Sequence, residues 1–229
     1  MKLHRFILSL NLKKDLIISK DNELINQIKN VLRLKTGHFV ILSDGFENEA
    51  KASIKSFSKN EIEFKIEERF ENKDEPTKNI KLYCAILKKE NFELVIQKAT
   101  EIGVKAIIPI RSAHTVKQNI KLDRLNKIAK EASEQSGRSV IPDIYEPLSF
   151  AEALEDSKTN EANFIFDTDA KEKFYSDKNN IGIFIGPEGG WTEKEIGEAQ
   201  KQNIKIVSLG KLTLRAETAA IVSSFIALN

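Results

Sequence analysis

The sequence predicts an α/β protein in two parts: a small domain made mostly of β-strands, followed by a mostly parallel sheet with helices on both faces. Three observations predict it. Residues 1 to about 72 contain several short apolar strands with few helices between them. Residues 73–79, KDEPTKN, are polar with one proline and are typical of a linker. From residue 80 onward, apolar strands alternate with amphipathic helices, as they do in parallel sheets.

The pattern of the first 72 residues predicts a small β-domain. One helix is predicted over residues 21–33, where apolar residues recur at helical spacing. An apolar strand over 39–42 runs into a turn signal at Asp44-Gly45. Two alternating strands follow, over 52–57 and 61–67. Short strands without crossover helices indicate a small barrel.

The larger domain is predicted from the alternation of two periodicities. Residues 91–102 and 122–136 each place apolar side chains on one helical face and end before a glycine, which suits a helix C-terminus. Capping boxes begin two further helices, at Ser149 and at Thr192. A last helix is predicted over 215–228. The strands are predicted over 80–87, 104–110, 141–145, 162–167, 181–185 and 204–209.

Composition excludes several classes of protein. The chain has 229 residues, of which 41% are hydrophobic and 31% charged, as in soluble globular proteins. It has no apolar run of membrane-spanning length, and its first apolar stretch is too short for a signal peptide. The single cysteine, Cys84, cannot form an internal disulfide, so we expect a reducing, cytoplasmic location and an inert thiol. The three histidines lie far apart, and no metal site is expected.

Positive charge is concentrated near the amino terminus. The first 35 residues hold eight Lys or Arg against three acidic residues. Such an excess is compatible with a phosphate-binding surface for nucleic acid. It is equally compatible with an ordinary solvated, lysine-rich surface, and the charge alone does not separate the two.

Two glycine-bearing loops mark the candidate site. The first, residues 186–190 (GPEGG), follows the strand at 181–185, and the second runs from Gly210 to Arg215. If both preceding strands are parallel, both loops lie at the carboxyl edge of the sheet, where open α/β sheets bind ligands. A single loop of this kind is explained well enough as a connection between a strand and a helix. Two glycine-bearing loops at the same edge, which also carry Glu188, Arg215 and Glu217, favour a binding site.

The loops do not fit the common nucleotide-binding motifs. A dinucleotide fold requires Gly-x-Gly-x-x-Gly after its first strand, but residues 88–91 are KKEN. A P-loop requires Gly-Lys-Ser or Gly-Lys-Thr, and Gly189-Gly190 leads instead into Trp191-Thr192. A compact ligand held by backbone hydrogen bonds between apolar walls, such as an adenosine moiety, suits these loops.

These motifs resemble the signature of the RsmE family of the SPOUT superfamily. The resemblance is carried by GPEGG at 186–190, Leu209-Gly210 and LRAETA at 214–219, with QKATEIGV at 97–104 and EASEQSGR at 131–138 upstream. It extends to Arg5-Phe6 and to VLRL at 31–34, so it covers most of the chain.

The resemblance implies a specific fold and reaction. It implies a PUA-like β-barrel that binds RNA over residues 1–72, a linker over 73–79, and a trefoil-knotted SPOUT methyltransferase domain over 80–229. The implied reaction is methylation of N3 of a uridine in small-subunit ribosomal RNA with S-adenosylmethionine. The implied assembly is a homodimer with the pocket at the subunit interface.

The candidate site residues fall into three groups. Arg215 is placed to stabilise developing negative charge on the uracil, and Glu217 or Glu188 to accept the N3 proton. Alternatively, Glu217 is a first-turn residue favoured by the helix dipole, Arg215 is an ion-pair partner of Glu217 or Glu188, and Glu188 accepts hydrogen bonds within its turn. The cofactor-binding candidates are Ile185, Gly186, Pro187, Glu188, Gly189, Gly190, Leu209, Gly210, Leu212, Leu214, Thr218 and Ala219. The RNA-binding candidates are His4, Arg5, Arg33, Lys35, Gln135 and Arg138.

Three features are left more open. Trp191 either stacks on a base or packs beside a helix start. Residues 113–117, AHTVK, depart from the Ser-Val-Val-Lys segment common in the family, so no role is assigned to them. The last helix is apolar on nearly all sides, which fits burial against both core and partner, or within one large core.

Two alternative functions remain at the level of sequence. One is a SPOUT enzyme that methylates another target, such as a ribose 2′-hydroxyl or a tRNA base. The other is a non-catalytic RNA-binding protein that uses only the basic amino terminus.

Overall fold

The computed structural model describes residues 3–8, 11–115 and 119–229. The contacts divide the chain into two compact units. Unit 1 comprises Met1–Glu75 and Ser133–Val140, and unit 2 comprises Pro76–Ala132 and Ile141–Asn229. Unit 1 therefore includes a short segment from the middle of the chain. The boundaries at residues 72 and 80 stay predictions.

Unit 1 is built on a five-stranded sheet in the order β1-β3-β4-β5-β2. Its strands are β1 (Arg5–Ile7), β2 (Leu16–Ser19), β3 (Phe39–Ser43), β4 (Asn48–Phe57) and β5 (Ile62–Glu71). The β1–β3 pair is parallel, and the other pairs are antiparallel. Alternate residues, among them Val40, Leu42, Ile54 and Phe64, are buried in one apolar core. The structure thus confirms the predicted small β-domain and adds β1 and β2, which are too short to give a period-two signal.

The predicted helix at 21–33 is shorter and less regular than its periodicity indicated. Helix α1 covers Asn22–Asn26 and begins at Asp21, whose side chain accepts hydrogen bonds from Glu23 N and Leu24 N. A turn of π-helix follows over Gln27–Val31. Arg33 has a positive φ of 53°, so the right-handed helix cannot continue through it.

Unit 2 is built on a seven-stranded sheet in which every pair is parallel, in the order β12-β10-β11-β6-β7-β8 with β9 also on β7. Its strands are β6 (Asn79–Ala85), β7 (Ala106–Arg111), β8 (Asp143–Ile144), β9 (Leu148–Ser149), β10 (Ala162–Phe166), β11 (Asn180–Ile185) and β12 (Lys205–Val207). The single strand predicted over 141–145 is the two-residue β8, as expected beside Pro142, which has no amide hydrogen.

Helices cover both faces of this sheet, as the sequence predicted. They are α2 (Lys89–Ile102), α3 (Leu122–Ser136), α4 (Phe150–Asp156), α5 (Glu193–Lys201) and α6 (Ala216–Leu228). On β6, Leu82 and Cys84 pack in a core with residues of α2, α3 and α6. The intervening Tyr83 and Ala85 pack in a second core with residues of α4 and α5. The alternation along one strand therefore separates two helical layers, which confirms the α/β class. The trefoil knot implied by the resemblance stays a prediction.

No helix in the described parts of the chain is both long and apolar enough to cross a membrane.

Candidate functional site

The carboxyl edge of the unit 2 sheet carries a cavity of about 750 Å³. Because β6, β10, β11 and β12 run parallel, the segments that follow them meet at this edge. The cavity is lined by residues after each of those strands and by the start of α6. The two glycine-bearing loops identified from the sequence therefore form one site.

Most of the predicted cofactor-binding residues line this cavity. They are Ile185, Gly186, Pro187, Glu188, Gly189, Gly190, Leu209, Gly210, Leu212, Leu214 and Ala219. Arg215 and Glu217 line it as well, whereas Thr218 does not. The structure adds lining residues that the sequence did not single out, namely Lys88, Asn91, Phe166, Asp167, Thr168, Ser208, Thr213 and Ala216. Lys88 and Asn91 lie in the KKEN segment that lacks the dinucleotide glycines.

The first glycine-bearing loop is a tight turn with little room for side chains. Gly190 has a φ of +68° and donates its N–H to the Pro187 carbonyl over 2.9 Å. A Cβ on Gly186 would lie 3.0 Å from the Trp191 ring. Trp191 packs against Phe150 and donates its Nε1–H to the Phe166 carbonyl over 3.0 Å. Trp191 thus has a packing role, and the glycines keep the backbone accessible to a ligand.

The second glycine-bearing loop places the amino terminus of α6 at the cavity. Arg215 is the N-cap residue, and its side chain makes no capping hydrogen bond. The first-turn N–H groups of a helix have no intrahelical partners and form the positive end of the helix dipole. Ala216 and Glu217, the first two residues of α6, both line the cavity. The cavity is therefore lined by a helix amino terminus that has no side-chain cap.

Glu217 is the buried acidic residue of this site. Its exposed fraction is 7%, and its Oε2 is buried without a hydrogen-bond partner among the described residues. Burial, reinforced by the nearby Glu188 and Glu217 carboxylates, raises the pKa of the Cys84 thiol well above its usual range. Cys84 is fully buried, in agreement with an inert thiol. A buried acceptor without a partner is unusual in a folded protein, which makes Glu217 a candidate site residue.

Arg215 and Glu188 lie on the exposed side of the same cavity. Within the described part of the chain, Arg215 forms no ion pair with Glu188 or Glu217. The alternative in which Arg215 is the ion-pair partner of either glutamate is therefore not what the structure shows.

Two residues were not assigned a role at this site from the sequence, one that contacts the glycine loop and one that contacts the neighbouring segment 112–115. His114 places its Nδ1 3.0 Å from the Gly189 carbonyl oxygen and 3.1 Å from that of Gly190. Glu195, predicted only as a capping-box residue, also accepts the Ala113 N–H over 2.9 Å. Neither contact has a local sequence signal, because each joins segments about 80 residues apart. The neighbouring Val116 and Lys117 lie outside the described residues.

The predicted RNA-binding residues all lie in unit 1 but differ in accessibility. His4, Arg33, Lys35 and Gln135 are exposed. Arg5 pairs with Glu49, its Nε lying 2.5 Å from Oε1. Arg138 pairs with Glu75, and both side chains are about 95% buried, with exposed fractions of 6% and 4%. The RNA-binding roles stay predictions, and for Arg138 the structure shows a guanidinium already engaged inside the unit.

No group of three or more His, Cys, Asp or Glu side chains in the described residues is arranged to hold a metal ion.

Comparison with known proteins identifies both parts of the chain. Residues 73–227 match the RNA methyltransferase domain family, and residues 21–67 match the RNA methyltransferase PUA domain family. The ribosomal RNA small subunit methyltransferase E of Mesomycoplasma hyopneumoniae is 35% identical over 227 residues, which is 96% of each chain. That of Bacillus subtilis is 34% identical over 219 residues, covering 86% of this chain and 84% of the relative.

Solved structures agree with these relatives. The Neisseria gonorrhoeae ribosomal RNA small subunit methyltransferase E bound to S-adenosyl methionine matches with a TM-score of 0.89 and 31% identity, covering 97% of this chain and 95% of the other. A putative methyltransferase from Legionella pneumophila with bound cofactor SAM also has a TM-score of 0.89, at 27% identity, covering 98% and 96%. The chain described here belongs to the ribosomal RNA small subunit methyltransferase E family.

Proposed function

We propose that this protein transfers a methyl group from S-adenosylmethionine to N3 of a uridine in small-subunit ribosomal RNA, in the cytoplasm. The observation that carries the proposal is Glu217, which lines a cavity between two glycine-bearing loops and has a buried carboxylate oxygen without a hydrogen-bond partner among the described residues. The family supplies the reaction class, and the cavity supplies a carboxylate suited to a proton transfer.

The cavity fits S-adenosylmethionine. Its volume of about 750 Å³ lies within the range of roughly 300–1,000 Å³ typical of small-molecule sites. Ile185, Leu209 and Leu214 provide apolar wall, and the glycine loop offers backbone groups at close range. Two structures similar to this one hold the same compound. The compound supplies a methyl group already activated by a positively charged sulfur.

The chain's own residues must remove a proton and balance charge. N3 of uracil carries a hydrogen that has to leave as the methyl group arrives. Glu217, which lines the cavity and lacks a partner at Oε2, accepts that proton directly or through water. Arg215, exposed at the cavity and not paired with the glutamates, stabilises the negative charge that develops on the uracil oxygens. Glu188, also at the cavity, is the second candidate for the base.

Unit 1 binds the RNA in this proposal. His4, Arg33 and Lys35 are exposed there and offer positive charge and hydrogen bonds to phosphates and base edges. Gln135, carried on the segment that unit 1 takes from the middle of the chain, adds a further polar group.

Mass spectrometry of nucleosides tests the function. Small-subunit ribosomal RNA from cells that lack the gene is expected to lose 3-methyluridine. The modification should return with the wild-type gene and not with Arg215→Ala. Loss of a different methylated nucleoside would support methyltransferase activity but overturn N3 of uridine as the target. No change in any RNA class would favour an RNA-binding protein without catalysis.

We also propose a homodimer, because α6 directs large apolar side chains away from its own core. The residues of α6 that are buried are small or polar, such as Ala220, Ser223 and Ser224. Phe225 and Ile226 are 57% and 46% exposed, and Leu94, on the adjoining α2, is 38% exposed. Exposed large apolar side chains on two adjoining helices are suited to burial against a second copy of the chain.

Phe225→Asp is therefore expected to convert a dimer into a monomer, because a buried charge without a partner opposes association. Size-exclusion chromatography with light scattering measures the mass. Tyr175→Asp is the matched control, because Tyr175 is an exposed aromatic residue outside the helices and should leave the dimer intact. A wild-type chain that is monomeric at every concentration tested would contradict the proposal.

A further inference from the structure

We propose that His114 is a positioning residue that holds the Gly189-Gly190 segment in the shape that binds the cofactor. The proposal rests on the proposed function, since it concerns the cofactor-binding loop. His114 itself does not line the cavity, whereas both of its partners do.

The geometry assigns a hydrogen to Nδ1 of His114. Its two contacts, at 3.0 and 3.1 Å, are with carbonyl oxygens, which only accept hydrogen bonds. Nδ1 must therefore be the donor, shared between the carbonyls of Gly189 and Gly190. In the neutral ring this leaves the lone pair on Nε2. The structure thus predicts one tautomer.

His114 and Gly189 are also in direct packing contact. A Cβ built on Gly189 would lie 3.1 Å from Cβ of His114, closer than most such contacts. The absence of a side chain at position 189 is what lets the histidine approach both carbonyls. The match is therefore between this glycine and this histidine, and not only between a polar ring and a loop.

A second tether fixes the histidine's own segment. Glu195 accepts the Ala113 N–H through Oε1 over 2.9 Å, while its Oε2 accepts from Thr192 N and Oγ1 at the start of α5. Glu195 is 6% exposed. Ser112 N donates to Thr115 Oγ1 over 2.9 Å, which closes the turn. The residues at 112–115 thus form a brace anchored to α5 on one side and to the glycine loop on the other.

This brace has a consequence for binding. Three glycines in five residues can adopt many backbone conformations, and ordering them on binding weakens affinity. A hydrogen bond of ordinary net strength that orders the loop beforehand improves the affinity for the cofactor by roughly 3- to 10-fold. It does not act on the reacting atoms, so it should change the Kd and KM for S-adenosylmethionine and leave kcat nearly unchanged.

The test compares His114→Ala, His114→Asn and the control His38→Ala, a histidine of unit 1 remote in sequence from the loop. Isothermal titration calorimetry with S-adenosylmethionine should give a Kd about 3- to 10-fold higher for His114→Ala than for the wild type. His114→Asn keeps a donor near the position of Nδ1 and should stay within about twofold of wild type, as should His38→Ala. Steady-state kinetics should show the loss in KM, with kcat retained.

A spectroscopic readout tests the tautomer directly. Nitrogen-15 NMR of the labelled chain, at alkaline pH where the ring is neutral, should show the hydrogen on Nδ1 of His114. A hydrogen on Nε2, or an unchanged Kd for His114→Ala, would overturn the proposal while the proposed function stands. A wild-type chain that does not bind S-adenosylmethionine would instead overturn the proposed function.

Discussion

Glu217→Gln is expected to reduce methyl transfer by about 100-fold or more, the usual range for loss of a general base. The side chain keeps its size and its place at the start of α6, so binding of S-adenosylmethionine should survive. The physical reason is that Glu217 lines the cavity and its carboxylate can accept a proton, whereas an amide cannot accept one at neutral pH. Single-turnover transfer to small-subunit ribosomal RNA measures the effect on the chemical step.

The stability of the same variant separates catalysis from misfolding. A buried carboxylate without a partner carries a desolvation cost, so removing its charge should leave the free energy of unfolding unchanged or raise it by about 1 kcal/mol. A variant that loses activity and stability together would contradict a catalytic role.

Glu193→Gln is the matched control for Glu217. Glu193 lies in the first turn of α5, the helix that follows the other glycine-bearing loop, and it is exposed and outside the cavity. If the first-turn position mattered only through the helix dipole, both substitutions would have the same small effect of less than about 1 kcal/mol on stability and none on transfer. Glu188→Gln, in turn, decides between the two candidate bases, and a larger loss there would move the role to Glu188.

Much of the fold and of the candidate site could be predicted from local sequence patterns. The change near residue 80, from successive strands to strands that alternate with amphipathic helices, is a local property of the chain. So are the capping boxes at Ser149 and Thr192, both of which the structure contains. The two glycine loops were placed together by one rule, that the carboxyl ends of parallel strands share an edge. The cavity lies there.

The rest depended on contacts between distant residues. Nothing near His114 indicates that its ring reaches Gly189, because the contact depends on how the loops after β7 and β11 approach each other. The position of Glu75 was also not predictable from its neighbours, because the sequence around it indicates a polar linker. In the structure it is buried and paired with Arg138, a residue that the resemblance assigned to RNA. Local charge predicts solvent exposure, and only the tertiary structure shows where a charge is buried.

The Glu75–Arg138 pair joins two distant segments of unit 1. The Glu75 carboxylate accepts hydrogen bonds from Arg138 Nε and Nη2, and also from the backbone N–H groups of Ser139 and Val140 at 3.0 and 3.2 Å. These bonds hold residues 138–140 against the end of the first segment of the unit. A carboxylate with four donors and almost no exposure satisfies the conditions under which a buried ion pair is stable.

Glu75→Ala is expected to lower the free energy of unfolding by about 3–5 kcal/mol, because it removes one member of a buried ion pair and the acceptor of two backbone N–H groups. Guanidinium chloride unfolding measures it. The matched control is Glu63→Ala, which breaks the exposed pair with Lys55 in the same unit and should cost less than about 1 kcal/mol.

The double variant Glu75→Ala/Arg138→Met decides what the pair contributes. Removing both charges should recover part of the loss, since replacing both members of a buried ion pair costs less than removing one of them. RNA affinity of Arg138→Met, measured while the chain remains folded, then tests the predicted contact with RNA. If affinity falls and stability does not, the guanidinium leaves Glu75 to reach RNA. If stability falls and affinity does not, Arg138 serves the architecture of unit 1, and the exposed His4, Arg33 and Lys35 are left to carry the binding.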